Sequence, residues 1–336
     1  MEVRQAVLES GDISVSMLNY GAITQDWRVP VGGRRLPVVL GYRDPARYLH
    51  DTTHMGTIAG RVANRTAGAE FRLNGVRYRL SRNDGRHHLH GGRRGLGRRL
   101  WQMERDGARR LRLCYLSPDG EEGYPGQVLF TVLVTLEGAR LSYEMKAEPD
   151  RPTPVNLAQH SYYNLMGAGQ IWGHSLRLAA AQYLPVDDEN IPTGAVAPVE
   201  GPLDFRAPRR LTGACAAHRG LDLNMVFAPR HPPAHPPAQP PAQAPVQPVA
   251  QLRADNGLCL RMWSDQPGAQ IYTAAHMGAT AGGLDGQVYG AHSGLCIEPQ
   301  QPPDALHRAQ FGAILATPER PYRQHLVVEI KAEDGV

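Results

Sequence analysis

The stretch VLFTVLVTLEGARLSYEMKA, residues 128–147, reads as a β-hairpin on its own chemistry. Its first nine residues are mostly apolar or β-branched, and Glu137-Gly138-Ala139-Arg140 interrupts them before LSYEMKA resumes at Leu141. Such side chains suit a pleated, half-buried surface, and a short glycine-bearing break between two such runs signals a chain reversal. A second instance lies at residues 71–80, FRLNGVRYRL, with Asn74-Gly75 between alternating runs. A two-residue hairpin turn needs positive φ at both central positions, and Asn-Gly supplies it at least cost. RLRLCYL (110–116), LCLRMW (258–263), AQIYTAA (269–275) and HLVVEIKA (325–332) are further strand-like runs. Long amphipathic helical patterns are scarce, and 36 glycines and 28 prolines punctuate the short runs. The expectation is an all-β chain: a large antiparallel β-sandwich, one domain over residues 1–336.

Composition narrows the function classes. Hydrophobic residues make up 42% and charged residues 20%, which excludes an intrinsically disordered chain and suits a soluble globular one. No apolar run reaches membrane-spanning length and the first residues lack a signal-peptide pattern, so the expectation is a cytoplasmic protein with no membrane partner. The net charge is +4, and Arg82, Arg86, Arg93, Arg94, Arg98 and Arg99 cluster with His87, His88 and His90. A nucleic-acid surface is one reading of that cluster. Arginine outnumbers lysine throughout the chain, however, and a solvated loop with no nucleic-acid partner is the reading preferred. Cys114, Cys215, Cys259 and Cys296 are far apart, without the paired spacing of a zinc or redox motif. The proline-rich segment at about 229–248, PRHPPAHPPAQPPAQAPVQP, favours extended polyproline and is expected to be a loop insertion between two strands, 224–227 and 249–254.

Chemistry concentrates at residues 153–165, TPVNLAQHSYYNL. There Asn156, Gln159, Ser161, Tyr162, Tyr163 and Asn164 surround His160. Six hydrogen-bonding side chains beside one imidazole fit a site for a polyhydroxylated ligand, with the imidazole as proton carrier near neutral pH. GRVANR (60–65) offers Asn64 and the planar guanidinium of Arg65, or simply a surface turn. HHLHGG (87–92) invites a metal hypothesis, but no HExxH-type partner accompanies it; a single hydrogen-bonding histidine at a strand end, His90, is preferred. On a strand, His88 and His90 would share one face. In GLDLN (220–224), Asp222 is a turn cap or a buried acceptor, and in SGLCIEPQ (293–300), Glu298 closes an apolar run. A carboxylate there is a surface residue or a general base whose basicity is raised by desolvation.

These segments resemble, in order, the motifs of the galactose mutarotase (aldose 1-epimerase) family. TPVNLAQHSYYNL is similar to TPxNLTNHSYFNL, GRVANR to GRxANR, and HHLHGGRRGLGRRLW to NxLHGGxxGxxxxxW. LPVDDENIPTGAVAPVEGPLDFR, GLDLN, AQIYTAA and LCIEPQQPPDALH likewise resemble the family's PVD–IPTG, GxDHN, VQxYTGN and xCLETQxxPDAxN segments. The resemblance implies a mutarotase-type β-sandwich with His160 as general acid and Glu298 as general base. It implies that Asn64, Arg65, His90, Tyr162, Asp222 and Gln270 bind substrate. The chain departs from the pattern at Gln159, Leu223 and Pro299, and at Ala274-Ala275-His276 where Gly-Asn-Phe is usual. Those departures are expected to bear on which sugar is preferred.

The implied activity is interconversion of the α and β anomers of a free aldohexose such as galactose or glucose. It needs one acid and one base and no metal or organic cofactor. The free side chains would place the carboxylate pKa below that of the imidazolium. The partner is a small monosaccharide, and the assembly a monomer or homodimer. A hexose-6-phosphate 1-epimerase, which needs a cationic phosphate cradle, and a noncatalytic sugar-binding module are the alternatives.

Overall fold

The computed structural model describes residues 2–212, 220–227 and 247–333. Two large antiparallel sheets carry the architecture. The larger has nine strands, in the order Gln102–Asp106, Arg110–Ser117, Val128–Glu137, Arg140–Pro149, Tyr322–Ala332, Leu258–Ser264, Ala250–Ala254, His174–Leu178 and Arg209–Arg210. The smaller has six: Tyr162–Tyr163, Leu295–Gln300, Gly268–Tyr272, Asp222–Phe227, Ala180–Leu184 and Ala197–Pro198. A four-stranded sheet formed by residues 5–37 joins them.

One apolar core lies between these sheets. Leu111, Val132 and Leu326 of the nine-stranded sheet, Met225, Ile271 and Ile297 of the six-stranded sheet, and Val15 and Trp27 of the four-stranded sheet belong to it, each at most 1% exposed. Burying such side chains contributes roughly 1.5–3 kcal/mol apiece, and it fixes which face of each strand turns inward. Among the described residues, no helix is long and apolar enough to cross a membrane.

The hairpin read from residues 128–147 forms with Val128 opposite Pro149 and Glu137 opposite Arg140, closed by Gly138-Ala139 with Gly138 at φ 57°. The second hairpin pairs Glu70–Leu73 with Val76–Arg79 around Asn74 and Gly75, at φ 50° and 80°. The run at 269–275 is a shorter strand than expected, Gly268–Tyr272, because the chain turns at Ala274 (φ 53°). The proposed insertion at 229–248 lies outside the described residues except for Gln247 and Pro248. Its flanking strands, Asp222–Phe227 and Ala250–Ala254, belong to different sheets, so that segment connects the two layers of the sandwich.

Candidate active site

The alternating sequence of three adjacent strands builds the floor of the site. Leu223, Met225, Ala269, Ile271, Leu295 and Ile297 face the core. The intervening residues therefore share the opposite face. Register places Asp222 beside Tyr272 and Tyr272 beside Cys296; in the next row Asn224 lies beside Gln270 and Gln270 beside Glu298. Cys296 in turn pairs with Tyr162, which brings in the strand that follows His160. Glu298 lies within its strand rather than at its end.

Loops from the first third of the chain close the site over this floor. Asp51 holds the loop at 52–55: its carboxylate accepts from the Thr53 and Met55 amides, the Thr53 hydroxyl and the Tyr42 hydroxyl. The Tyr162 hydroxyl donates to the Thr53 carbonyl at 2.8 Å, so this tyrosine ties the loop to the floor and offers the cleft its ring. The segment at 60–65 is buried rather than a surface turn. Arg61 is 2% exposed, and its guanidinium donates to the carbonyls of Ser117, Pro118, Pro125 and Gly126 and to the Ser117 hydroxyl. At Gly91, φ is +83° and a Cβ would lie 1.6 Å from the Gly60 carbonyl oxygen, so the loop carrying His90 can approach only with glycine there.

The cleft so formed measures about 310 Å³, and all eight residues singled out in the sequence line it: Asn64, Arg65, His90, His160, Tyr162, Asp222, Gln270 and Glu298. His54, Tyr272, His276 and Met277 also line it; of these, His276 is among the departures from the motif pattern, whereas His54 and Met277 carry no signal in the sequence. His87 and His88 do not. His88 is held by the Ser81 carbonyl and the Tyr124 hydroxyl, and His87 accepts from the Gly68 amide. The strand ends at Leu89, and His90 turns away in the left-handed region at φ 51°, so the shared face expected for His88 and His90 does not arise.

At the floor, His160 Nε2 stands 3.6 Å from Glu298 Oε1, and both side chains are almost wholly buried. Glu298 Oε2 has no hydrogen-bond partner among the described residues. Gln270 donates to Asp222 at 2.7 Å, which leaves the Asp222 carboxylate with further acceptor capacity toward the cleft. Arg65 is fixed by Asp84 at 2.7 Å. Burial, with His54 adding to it, pushes the His160 pKa down to about 3. Burial and the nearby Asp222 charge push Glu298 well above the usual carboxylate range. The pair therefore favours a neutral carboxylic acid beside a neutral imidazole, the reverse of the order expected from the free side chains. Desolvation of both groups is the cause.

His90, His160 and Glu298 bring their donor atoms within 4.8 Å of one another, a spacing that could hold a cation. The chemistry of His90 argues against it. Its Nδ1 accepts the Asn64 amide hydrogen at 3.2 Å, so its ring proton sits on Nε2. What His90 offers the cleft is an N–H donor, not a lone pair. That suits a hydroxyl oxygen.

The departures from the motif pattern separate clearly. Gln159 is 1% exposed and bonded to Ser161, away from the cleft. Leu223 packs against the core, and Pro299 leaves the polar face of its strand. Among these positions, His276 is the one on the cleft wall.

The sequence pattern of the aldose 1-epimerase family matches residues 4–329. The chain is 37% identical over 328 residues to a galactose mutarotase of Rattus norvegicus, covering 95% of this chain and 92% of the relative. It is 30% identical over 301 residues to an aldose 1-epimerase of Escherichia coli, covering 88% and 85%. Among solved structures, an aldose epimerase homologue from C. elegans superposes with a TM-score of 0.90 at 25% identity, over 99% of this chain and 100% of that one. A galactose 1-epimerase from Lactobacillus acidophilus gives 0.83 at 24% identity over 99% and 95%, which speaks for the fold alone. Matched along nearly its whole length in sequence and in fold, this chain belongs to the aldose 1-epimerase family.

Proposed function

We propose that the chain is a mutarotase that interconverts the α and β anomers of a free aldohexose such as galactose or glucose. The observation that carries this reading is the buried Glu298–His160 pair, 3.6 Å apart, at the floor of a cleft whose walls offer donors and acceptors for hydroxyl groups. Ring opening needs a base for the C1 hydroxyl proton and an acid for the ring oxygen, each worth roughly 10²- to 10⁴-fold in rate.

The pair holds one proton in either of two tautomers of equal total charge. In the carboxylate–imidazolium form, Glu298 takes the C1 hydroxyl proton while His160 gives one to the ring oxygen. The sugar opens to its aldehyde, and the pair is left as carboxylic acid and neutral imidazole. That is the form burial favours, so the site's electrostatics match the open-chain intermediate. Rotation about the C1–C2 bond and reversal of both transfers deliver the other anomer. A sugar hydroxyl donating to the unpartnered Glu298 Oε2 makes the carboxylate form accessible in the closed-ring complex. His90 Nε2–H, Asn64, Arg65, Asp222 and Gln270 hold the remaining hydroxyls, and the Tyr162 ring packs against the sugar.

A free sugar fits better than a sugar phosphate. Among the described residues lining the cleft, Arg65 is the one arginine or lysine, and Asp84 already engages it. Arg98 donates to the Asp51 carbonyl and Arg99 pairs with Glu121, both outside the cleft. Polarimetry on freshly dissolved α-galactose and α-glucose, with hexose 6-phosphates in parallel, tests the reading. Glu298→Gln and His160→Asn are each expected to lower the rate at least about a hundredfold with the fold retained. Wild-type rates in either variant would refute the assignment.

A further inference from the structure

Beyond Glu298 and His160, one buried group faces the reacting pair from behind. Cys296 Sγ lies 3.7 Å from His160 Nδ1, on the side of the ring away from Glu298. The cysteine is completely buried, and His160 is 4% exposed. Cys296 sits two residues before Glu298 on the same strand and the same face, so one strand carries the base and the partner of the acid. We propose that Cys296 is a positioning residue whose thiol partners His160 Nδ1 in both protonation states the imidazole must visit. The proposal rests on the mutarotase reading above.

What faces the ring nitrogens decides which protonation states each histidine can visit. His90 Nδ1 accepts from the Asn64 amide, a donor that cannot become an acceptor. Protonating that nitrogen would cost the bond, so His90 is held neutral as an Nε2–H donor. His174 is likewise held neutral but in the opposite tautomer, with its Nε2 accepting from the Leu165 amide and its Nδ1–H donating to the Ile171 carbonyl. A thiol is both a weak donor and a weak acceptor, and its hydrogen rotates about the Cβ–Sγ bond. When His160 is neutral, the S–H donates to Nδ1 and keeps the remaining ring proton on Nε2, which faces Glu298. When His160 is imidazolium, its Nδ1–H donates to the sulfur lone pair. Burial keeps the thiol itself protonated through the cycle, because it pushes the Cys296 pKa well above its ordinary value. Among the described residues, the other titratable groups around the ring are His54, His90, Tyr162 and Glu298, with Asp51 farther off. None of these is placed against Nδ1.

The test compares full-length wild type, Cys296→Ala and Cys296→Ser by anomerisation kinetics across pH. Loss of one weak hydrogen bond to the imidazolium is expected to lower kcat about tenfold in the alanine variant, with KM within about twofold. Its alkaline limb, which reports loss of the single proton the Glu298–His160 pair holds, moves to lower pH because the carboxylate–imidazolium tautomer is weakened. Serine, whose hydroxyl also donates and accepts, restores kcat to within about threefold and returns the limb. A serine variant as impaired as alanine would reduce Cys296 to packing, and a wild-type alanine variant would remove the role altogether. Ring-¹⁵N NMR of the unmodified enzyme, with His160 assigned through His160→Asn, keeps the idea testable if alanine fails to fold. The Nε2–H tautomer is expected at neutral pH, and the Nδ1–H tautomer would overturn the proposal. Glu298→Gln run alongside separates the two levels. If it is inactive while alanine behaves as wild type, only the cysteine role falls. If it is fully active, the site assignment falls and takes the cysteine role with it.

Discussion

His174 closes the His160 segment from outside the cleft. Its Nε2 accepts the amide hydrogen of Leu165, the last residue of the His160 segment, at 2.9 Å, and its Nδ1–H donates to the Ile171 carbonyl at 3.0 Å. Only the neutral ring makes both bonds. Its pKa is pushed down to about 4, chiefly by burial, with Asp255 opposing and Arg210 adding to the shift. A histidine whose folded pKa lies below its unfolded value contributes stability that is present above about pH 6.5 and lost as pH falls toward 4. By pH 5 the unfolded chain has gained about 1.5 pH units of protonation free energy that the folded chain has not. That amounts to about 2 kcal/mol of stability lost through this residue alone. His174→Gln retains an acceptor for the Leu165 amide and loses the Ile171 bond, a cost of about 1–2 kcal/mol with no pH dependence of its own. Urea unfolding of both proteins at pH 7.5 and pH 5 isolates the effect, because contributions from Glu298 and the cleft histidines cancel in the difference. The wild type should be the more stable at pH 7.5, and the two should be nearly equal at pH 5. A stability difference that stays the same at both pH values would refute the reasoning.

Arg61→Met strips the buried guanidinium from four carbonyls, and unfolding experiments should show a loss of about 3 kcal/mol or more, since buried acceptors are left unpaired. Gln159→Asn should leave the ratio of galactose to glucose turnover within about twofold of wild type, because that side chain bonds Ser161 and not the cleft. His276→Phe, altering the cleft wall, should change that ratio more than Gln159→Asn does; the opposite ranking in parallel polarimetry would show that the wall is misread.

Local chemistry made the hairpins legible. Asn74-Gly75 and Gly138-Ala139 announce their turns within a few residues, and the strands on either side follow. The floor of the site was half legible. Alternation within GLDLN and LCIEPQ is plain in the chain, but that Asn224, Gln270 and Glu298 stand in one row depends on the register of strands that are far apart in the sequence. All eight residues chosen from the motifs meet in one cleft, whereas His54 was passed over. It reaches the site through a left-handed backbone at φ 58°, fixed by Asp51, and a single histidine before Met-Gly carries no periodic signal. The protonation order of Glu298 and His160 was beyond reach for another reason. It is set by how much water the folded walls exclude, and no neighbour in sequence reports that.

The polar and apolar faces of the six-stranded sheet also divide the chain by number. In the strands Asp222–Phe227, Gly268–Tyr272 and Leu295–Gln300 the even positions other than Val226 and Gly268 carry the hydrogen-bonding and ionisable side chains, while the odd positions are apolar or proline. Sequence change can therefore explore new substrates along one parity while the other preserves the fold, so long as substitutions rather than single-residue insertions supply the variation. An insertion of one residue in any of these strands exchanges the parities; in Leu295–Gln300 it would send Glu298 into the core and Ile297 into the cleft in one step. A deep mutational scan of this sheet should accordingly read out as two interleaved profiles, one tracking abundance and the other tracking turnover.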